Sequence, residues 1–218
     1  MAVVTATGTE PTDKAAPLWD RLATLPDDPL VPEKADAAVL IVLKLGNEGP
    51  EVLAEQRAER PGDPWSGHVG LPGGRKDPKD RSLAETVLRE LHEEVALPPS
   101  ALAGPPRLFD VRRARPSGLR VAVFAGRFVG GVEAFHGADP EEVAETFWFP
   151  LRALTGGVPR PRPTMFGEIN VDTVDFDGHV VWGFTLRLLR DFETWLKSPD
   201  GAVPHPPTAL RRWRSQAI

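Results

Sequence analysis

The chain has 218 residues, a formal net charge of −5, 41% hydrophobic and 26% charged residues, and no cysteine. The missing cysteines exclude disulfides, thiolate zinc sites and thiol catalysis, so any metal must sit on oxygen or imidazole. The acidic balance disfavours nucleic acid as a partner, and no apolar run nears the roughly 20 residues of a membrane span, so neither nucleic acid nor a membrane is expected.

Residues 1–15 are small and polar and read as a disordered tail. They carry no basic segment followed by an apolar core, so the default expectation is a cytoplasmic protein. A short helix fits residues 18–25. Residues 37–43 form an apolar, β-branched run that reads as a buried strand. A turn at Asn47-Glu48-Gly49 then leads to a second strand over 51–57, making a hairpin. Residues 60–67 (RPGDPWSG) are a loop, and residues 68–71 are briefly extended before the pair Gly73-Gly74.

Leu83, Val87, Leu91 and Val95 recur every four residues and predict an amphipathic helix. Ser82 is its N-cap and Glu85 completes a capping box, and Pro98-Pro99 stops it. Strands follow over 108–113, 119–129 and 143–149. A hairpin over 171–182 turns at Asp177-Gly178, and Trp182 reads as core. A second amphipathic helix spans 185–196. The chain has 24 prolines. The proline-bearing stretches 157–164 (GVPRPRPT) and 198–207 read as loops. The end of the chain, with Arg211, Arg212 and Arg214, is a basic tail. Strands interspersed with two good helices predict an α/β or α+β sandwich.

Glu90, Glu93 and Glu94 lie at helical spacings that place them on one face, off the apolar stripe. Two readings are open. One is a charge-rich solvated face. The other is an oxygen cage for Mg²⁺ or Mn²⁺, with the backbone of Gly73-Gly74 close by, suited to phosphoanhydride hydrolysis.

Arg89-Glu90-Leu91-His92-Glu93-Glu94, with Gly74 ahead of it, resembles the core of the Nudix box, Gly-x5-Glu-x7-Arg-Glu-U-x-Glu-Glu-x-Gly-U. Asp80 stands at the first Glu position, one extra residue precedes Arg89, and Ala96 replaces the closing glycine. The extra residue, Leu71-Pro72-Gly73-Gly74 and later segments at 142–151 and 181–185 are similar to the coenzyme A pyrophosphatase branch, over roughly residues 36–196. That branch has Leu-Leu-Thr-x-Arg-Ser upstream, where this chain has Leu53-Ala54-Glu55-Gln56-Arg57-Ala58. Arg57 and Gly67 can be matched at a spacing one longer, and the branch's second Arg has no clear counterpart.

The resemblance implies a Nudix-type α/β/α sandwich with a mixed β-sheet. The expected organisation is a single domain over 16–197 (core 36–196), with a tail at 198–218 that is Pro-rich and then basic. It implies a metal-dependent hydrolase that cleaves the pyrophosphate of a nucleoside diphosphate linked to another moiety. CoA derivatives come first, then ADP-ribose, NADH or dinucleoside polyphosphates. Glu90 and Glu94 would ligate Mg²⁺ or Mn²⁺, Glu93 would be a third ligand or the base, and Gly74 would offer backbone. Arg89 either orients the carboxylates or pairs with Glu93 on the surface. His92, at a variable position of the box, is expected in solvent. Arg57 is a phosphate contact or a surface ion pair, and His68 a substrate contact or a loop histidine. Trp65 stacks on a base or caps a core edge, and Gly73 lines the substrate loop. Glu141, Glu142 and Glu145 are candidates for a further carboxylate. A nucleotide-sensing, non-catalytic Nudix module is the alternative class, and the sequence is compatible with a homodimer.

Overall fold

A computed structural model describes residues 16–26, 35–63, 65–114, 118–130, 139–164 and 167–198. The tail expected over 1–15, and all of the 198–218 segment except Ser198, lie outside them. Helix α1 (Ala16–Ala23) precedes strands β1 (Ala37–Gly46) and β2 (Gly49–Arg57), which form a hairpin with Gly46 opposite Gly49. Two short strands follow, β3 (Val69–Gly70) and β4 (Gly73–Arg75), then helix α2 (Leu83–Val95). Strands β5 (Arg107–Arg113), β6 (Arg120–Arg127) and β7 (Val143–Pro150) complete a seven-stranded mixed sheet, in which β1 and β6 run parallel. Strands β8 (Val158–Thr164), β9 (Gly167–Phe176) and β10 (His179–Trp182) form a separate antiparallel sheet. Helix α3 (Gly183–Lys197) follows.

Strand β1 is apolar on both faces because both are covered. Leu40 and Val42 pack with Leu83, Val87 and Leu91 of α2. Ile41 and Leu43 pack on the opposite side with Leu22 of α1 and Leu189, Phe192 and Trp195 of α3. The sheet therefore lies between helices, the α/β/α sandwich expected. Fully burying each large apolar side chain stabilises by about 1.5–3 kcal/mol. Phe109 meets Phe192 and Trp195 edge-on at 5.1 and 5.4 Å.

The β1–β2 hairpin is a fork. Near the turn the two strands pair with each other; further along they part. Strand β3 pairs with β2 through Glu55 and Gln56, and β4 pairs with β1 through residues 37–39. The amide of Leu40 donates to the carbonyl of Pro72 at 2.8 Å, fixing the segment between them. Residues 69–75 are thus wedged into the fork, which sets Gly70 opposite Glu55 on β2 and Gly73-Gly74 opposite Val39 and Ala38 on β1.

Three expectations need correction. Residues 158–164 are strand, not loop. Pro159, Pro161 and Pro163 share one parity of β8, an edge strand, so their missing N–H groups fall where no ladder bond is made, and Arg160 and Arg162 take the other parity. The capping box is offset: Ser82 Oγ accepts from the Glu85 amide at 3.2 Å, but the Glu85 carboxylate accepts from the amide of Arg81 at 2.7 Å. Trp182 is half-buried at the sheet margin rather than in the core.

Candidate functional site

The helix angle decides which box carboxylate faces what. Seven residues advance an α-helix by nearly two full turns, with a drift of about 20°. Glu94 therefore stands almost directly above Val87, on the apolar stripe rather than off it, and is 3% exposed. Glu90 flanks the stripe and is half-buried, while the side chain of Glu93 turns away and is 55% exposed. The expectation that the three project together off the stripe is corrected on this point. His92 is exposed, as expected.

Glu94 Oε2 accepts a hydrogen bond from the amide of Gly73 at 2.8 Å. Gly73 adopts φ 151°, and a Cβ there would lie 2.6 Å from the Cα of Val39. A Cβ on Gly74 would lie 2.6 Å from the carboxyl carbon of Glu90. The glycine pair is therefore required by close approach, of β1 in one case and of a box carboxylate in the other.

Arg89 organises the cluster. Its Nε and Nη2 donate to Asp80 at 3.1 Å each, its Nη2 reaches the carbonyl of Arg75 at 3.2 Å and Glu90 Oε1 at 2.9 Å, and its Nη1 donates to Glu93 at 2.7 Å. Arg89 thus pairs with Glu93, as one reading of it expected, and also touches Glu90 and Asp80, the contacts an orienting role would use. Asp80 is buried and also accepts from Thr86 Oγ1 at 2.9 Å and from the Asp77 amide at 3.0 Å. These bonds, that of Arg89 foremost, hold its carboxyl down at about 2.

Glu55 is a member of the cluster that sequence reasoning missed. It is 2% exposed, and its Oε2 has no hydrogen-bond partner. Its signal was parity: Leu53 packs on the α2 side of the sheet, so Glu55, two residues on, faces the box. Burial first, and then the charges of Glu90 and Glu142, push its carboxyl upward. Burial and the neighbouring Glu55 push Glu94 upward. Burial also raises Glu90, with Glu93 and Glu142 adding to it. Of the three candidates for a further carboxylate, Glu141 and Glu142 precede β7 and Glu145 lies on it, and Glu142 is the one whose charge acts on Glu55 and Glu90.

The substrate candidates are distributed around this cluster. Arg57, on the same face of β2, pairs through Nη2 with Asp63 at 3.2 Å, and its Nε is buried without a partner. His68 is half-buried, edge-on to Trp182 at 4.6 Å, and its pKa is lowered by burial and by Arg162. Trp65 is 48% exposed, so it does not cap the core. Arg162, on β8, lies over the Trp182 ring at 5.9 Å; its place here depends on β8 being a strand.

Among the described residues, no three acidic or histidine side chains are already gathered in ligating geometry. The donor set nonetheless fits a hard divalent cation: carboxylate oxygens only, one of them buried and unpartnered, on groups whose crowding an ion would relieve. Among the described residues, no helix is long and apolar enough to cross a membrane.

The NUDIX domain model matches residues 34–166. The chain belongs to the NUDIX domain family. The protein named Uncharacterized Nudix hydrolase NudL from Yersinia enterocolitica is 40% identical over 157 residues, covering 71% of this chain and 77% of that protein. Its namesake from Yersinia pestis is 39% identical over 157 residues, covering 71% and 76%. Among solved structures, a MutT/nudix family protein from Enterococcus faecalis aligns over 92% of this chain and 74% of its own, at 19% identity and a TM-score of 0.47. This Nudix hydrolase is a pyrophosphohydrolase acting on nucleoside diphosphate derivatives, and Nudix hydrolases use divalent metal ions.

Proposed function

We propose that this Nudix hydrolase cleaves the pyrophosphate of coenzyme A or its derivatives, with Mg²⁺ or Mn²⁺ held by Glu90 and Glu94 beside the backbone of Gly74. The observation that carries the reading is the Arg89–Asp80 clamp, which fixes the box carboxylates against a glycine loop too close for any side chain. The bound cation supplies neutralisation of phosphate charge and activation of water. Water attacks one phosphorus, the bridging P–O bond breaks, and a carboxylate accepts the proton of water. Glu93 suits that role, because its side chain faces solvent while Arg89 holds it in place.

The preference for CoA rests on the sequence resemblance: the extra residue before Arg89, the Leu71-Pro72-Gly73-Gly74 lead-in and the later segments. His68 and Trp182, with Arg162 over the indole, offer a half-buried aromatic and cationic flank for the nucleotide moiety. The exposed ring of Trp65 is open to stacking on a base. A phosphate contact by Arg57 requires exchange of its bond to Asp63. Mass spectrometry of products from CoA, ADP-ribose and NADH with either metal tests the reading. The expected products are phosphopantetheine and the phosphorylated adenosine nucleotide from CoA. Turnover of ADP-ribose or NADH alone would move the substrate; no turnover with any metal would contradict the reaction.

A further inference from the structure

Among the described residues, Glu55 is the one carboxylate with a buried oxygen that lacks a hydrogen-bond partner. It lies on β2, opposite Gly70 of β3, and its Oε1 is 3.7 Å from where a Cβ on Gly70 would stand, so the facing strand leaves it room. The unpartnered Oε2 sits in a side chain of which 98% is removed from water. A buried carboxyl oxygen without a partner is costly, and native proteins rarely retain one that serves nothing.

Several groups face it. Glu94 comes from α2, Glu90 from the same helix, and Glu142 from the loop before β7. The nearest cation, Arg57, directs its Nη2 to Asp63. The position is also one of departure: the Leu-Leu-Thr-x-Arg-Ser pattern has Thr there, and this chain has Glu.

We infer that Glu55 is a carboxylate ligand for a divalent cation, closing from the β2 side the oxygen set that Glu90 and Glu94 offer from α2. This rests on the reading that the box carboxylates hold the metal. The fork between β1 and β2 is what makes it feasible. It sets Gly70 against Glu55 and binds Gly73 to Glu94, so that carboxylates from a strand and a helix face each other across the glycines of one loop.

The test uses Mn²⁺ alone, titrated into the metal-free full chain and followed by electron paramagnetic resonance of the free ion. Thermal unfolding is recorded with and without the ion. Glu55→Gln and Glu55→Thr are compared with the parent, and Glu90→Gln and Glu94→Gln serve as references. Weakening of Mn²⁺ binding by about tenfold or more in either Glu55 variant is expected, on the scale by which groups around metal sites act. A smaller Mn²⁺-induced rise in Tm is expected too, with a metal-free Tm equal to the parent's or above it, because a buried carboxylate has been removed. A metal-free Tm that has not fallen separates loss of a ligand from loss of structure. Parent-like Mn²⁺ affinity in both Glu55 variants, with binding lost in Glu90→Gln and Glu94→Gln, would overturn this inference and leave the box site intact. Parent-like affinity in all four would overturn the box site as well.

Discussion

Gly73 and Glu94, 21 residues apart, are joined by a 2.8 Å hydrogen bond from the glycine amide to a buried carboxylate. That bond ties the wedge in the β1–β2 fork to the last turn of the box helix. It links fold to chemistry: the carboxylate that anchors the loop is the one proposed as a metal ligand, so under that proposal loop position and ligand position are set together.

The packing of Glu90 on Gly74 makes that glycine sensitive. In Gly74→Ala the new methyl must displace the Glu90 carboxylate, because its Cβ would sit 2.6 Å from the carboxyl carbon. A fall in kcat of about a hundredfold is expected, the scale of misplacing a positioned group, with far-ultraviolet circular dichroism unchanged. Steady-state kinetics on whichever substrate the product assay confirms check it.

Arg89→Lys keeps the charge and loses the fork geometry. Lysine cannot reproduce two parallel bonds to Asp80 together with those to Glu90, Glu93 and the Arg75 carbonyl. Destabilisation of about 1.5–3 kcal/mol is expected, typical of losing hydrogen bonds to a buried charge, along with reduced kcat. Urea unfolding measures the first and initial rates the second.

Asp80 sets an acid limit on stability. Its folded pKa, near 2, lies below the ordinary 3.8, so the folded state favours the ionised form. Its contribution is present above pH 3.8 and is lost as pH falls from there through 2. Asp80→Asn is therefore expected to lower Tm at pH 7 and to converge on the parent as pH approaches 2. Thermal melts across that range check it; a Tm difference independent of pH would contradict the ion-pair account.

Ala96 ends α2 in the left-handed region, at φ 53° and ψ 24°. Its amide bonds to the carbonyl of His92 at 3.0 Å, the single bond of an αL closure, which favours glycine, and the amide of Leu97 reaches the carbonyl of Leu91 at 3.3 Å. Ala96→Gly is expected to stabilise by about 1 kcal/mol, read as a higher urea midpoint at unchanged slope, with activity kept.

Much of this was legible in the sequence, for reasons that differ by residue. The stripe Leu83, Val87, Leu91 and Val95 fixed α2 because a helix buries one face, and the β-branched run at 37–43 fixed β1 because a central strand buries two. The box motif located Glu90, Glu94 and Gly74. It did not reveal that Glu94 faces inward, which follows from counting helix angle rather than from spacing alone. Strand β8 was masked by its prolines, whose shared parity, not their number, makes an edge strand. Glu55 was hidden because its significance is tertiary: only the fork brings β2 against the glycine loop. Arg162 was hidden with the strand that carries it.

The central claim is that Glu90 and Glu94, fixed by Arg89 and the glycine loop, hold the metal that drives pyrophosphate hydrolysis. Its most direct test is kcat for Glu94→Gln at saturating Mg²⁺ on a confirmed substrate, with folding verified by circular dichroism. A loss of at least about a hundredfold is predicted, since the group assists charge development at the reacting phosphate. Parent-rate hydrolysis by folded Glu94→Gln would contradict it.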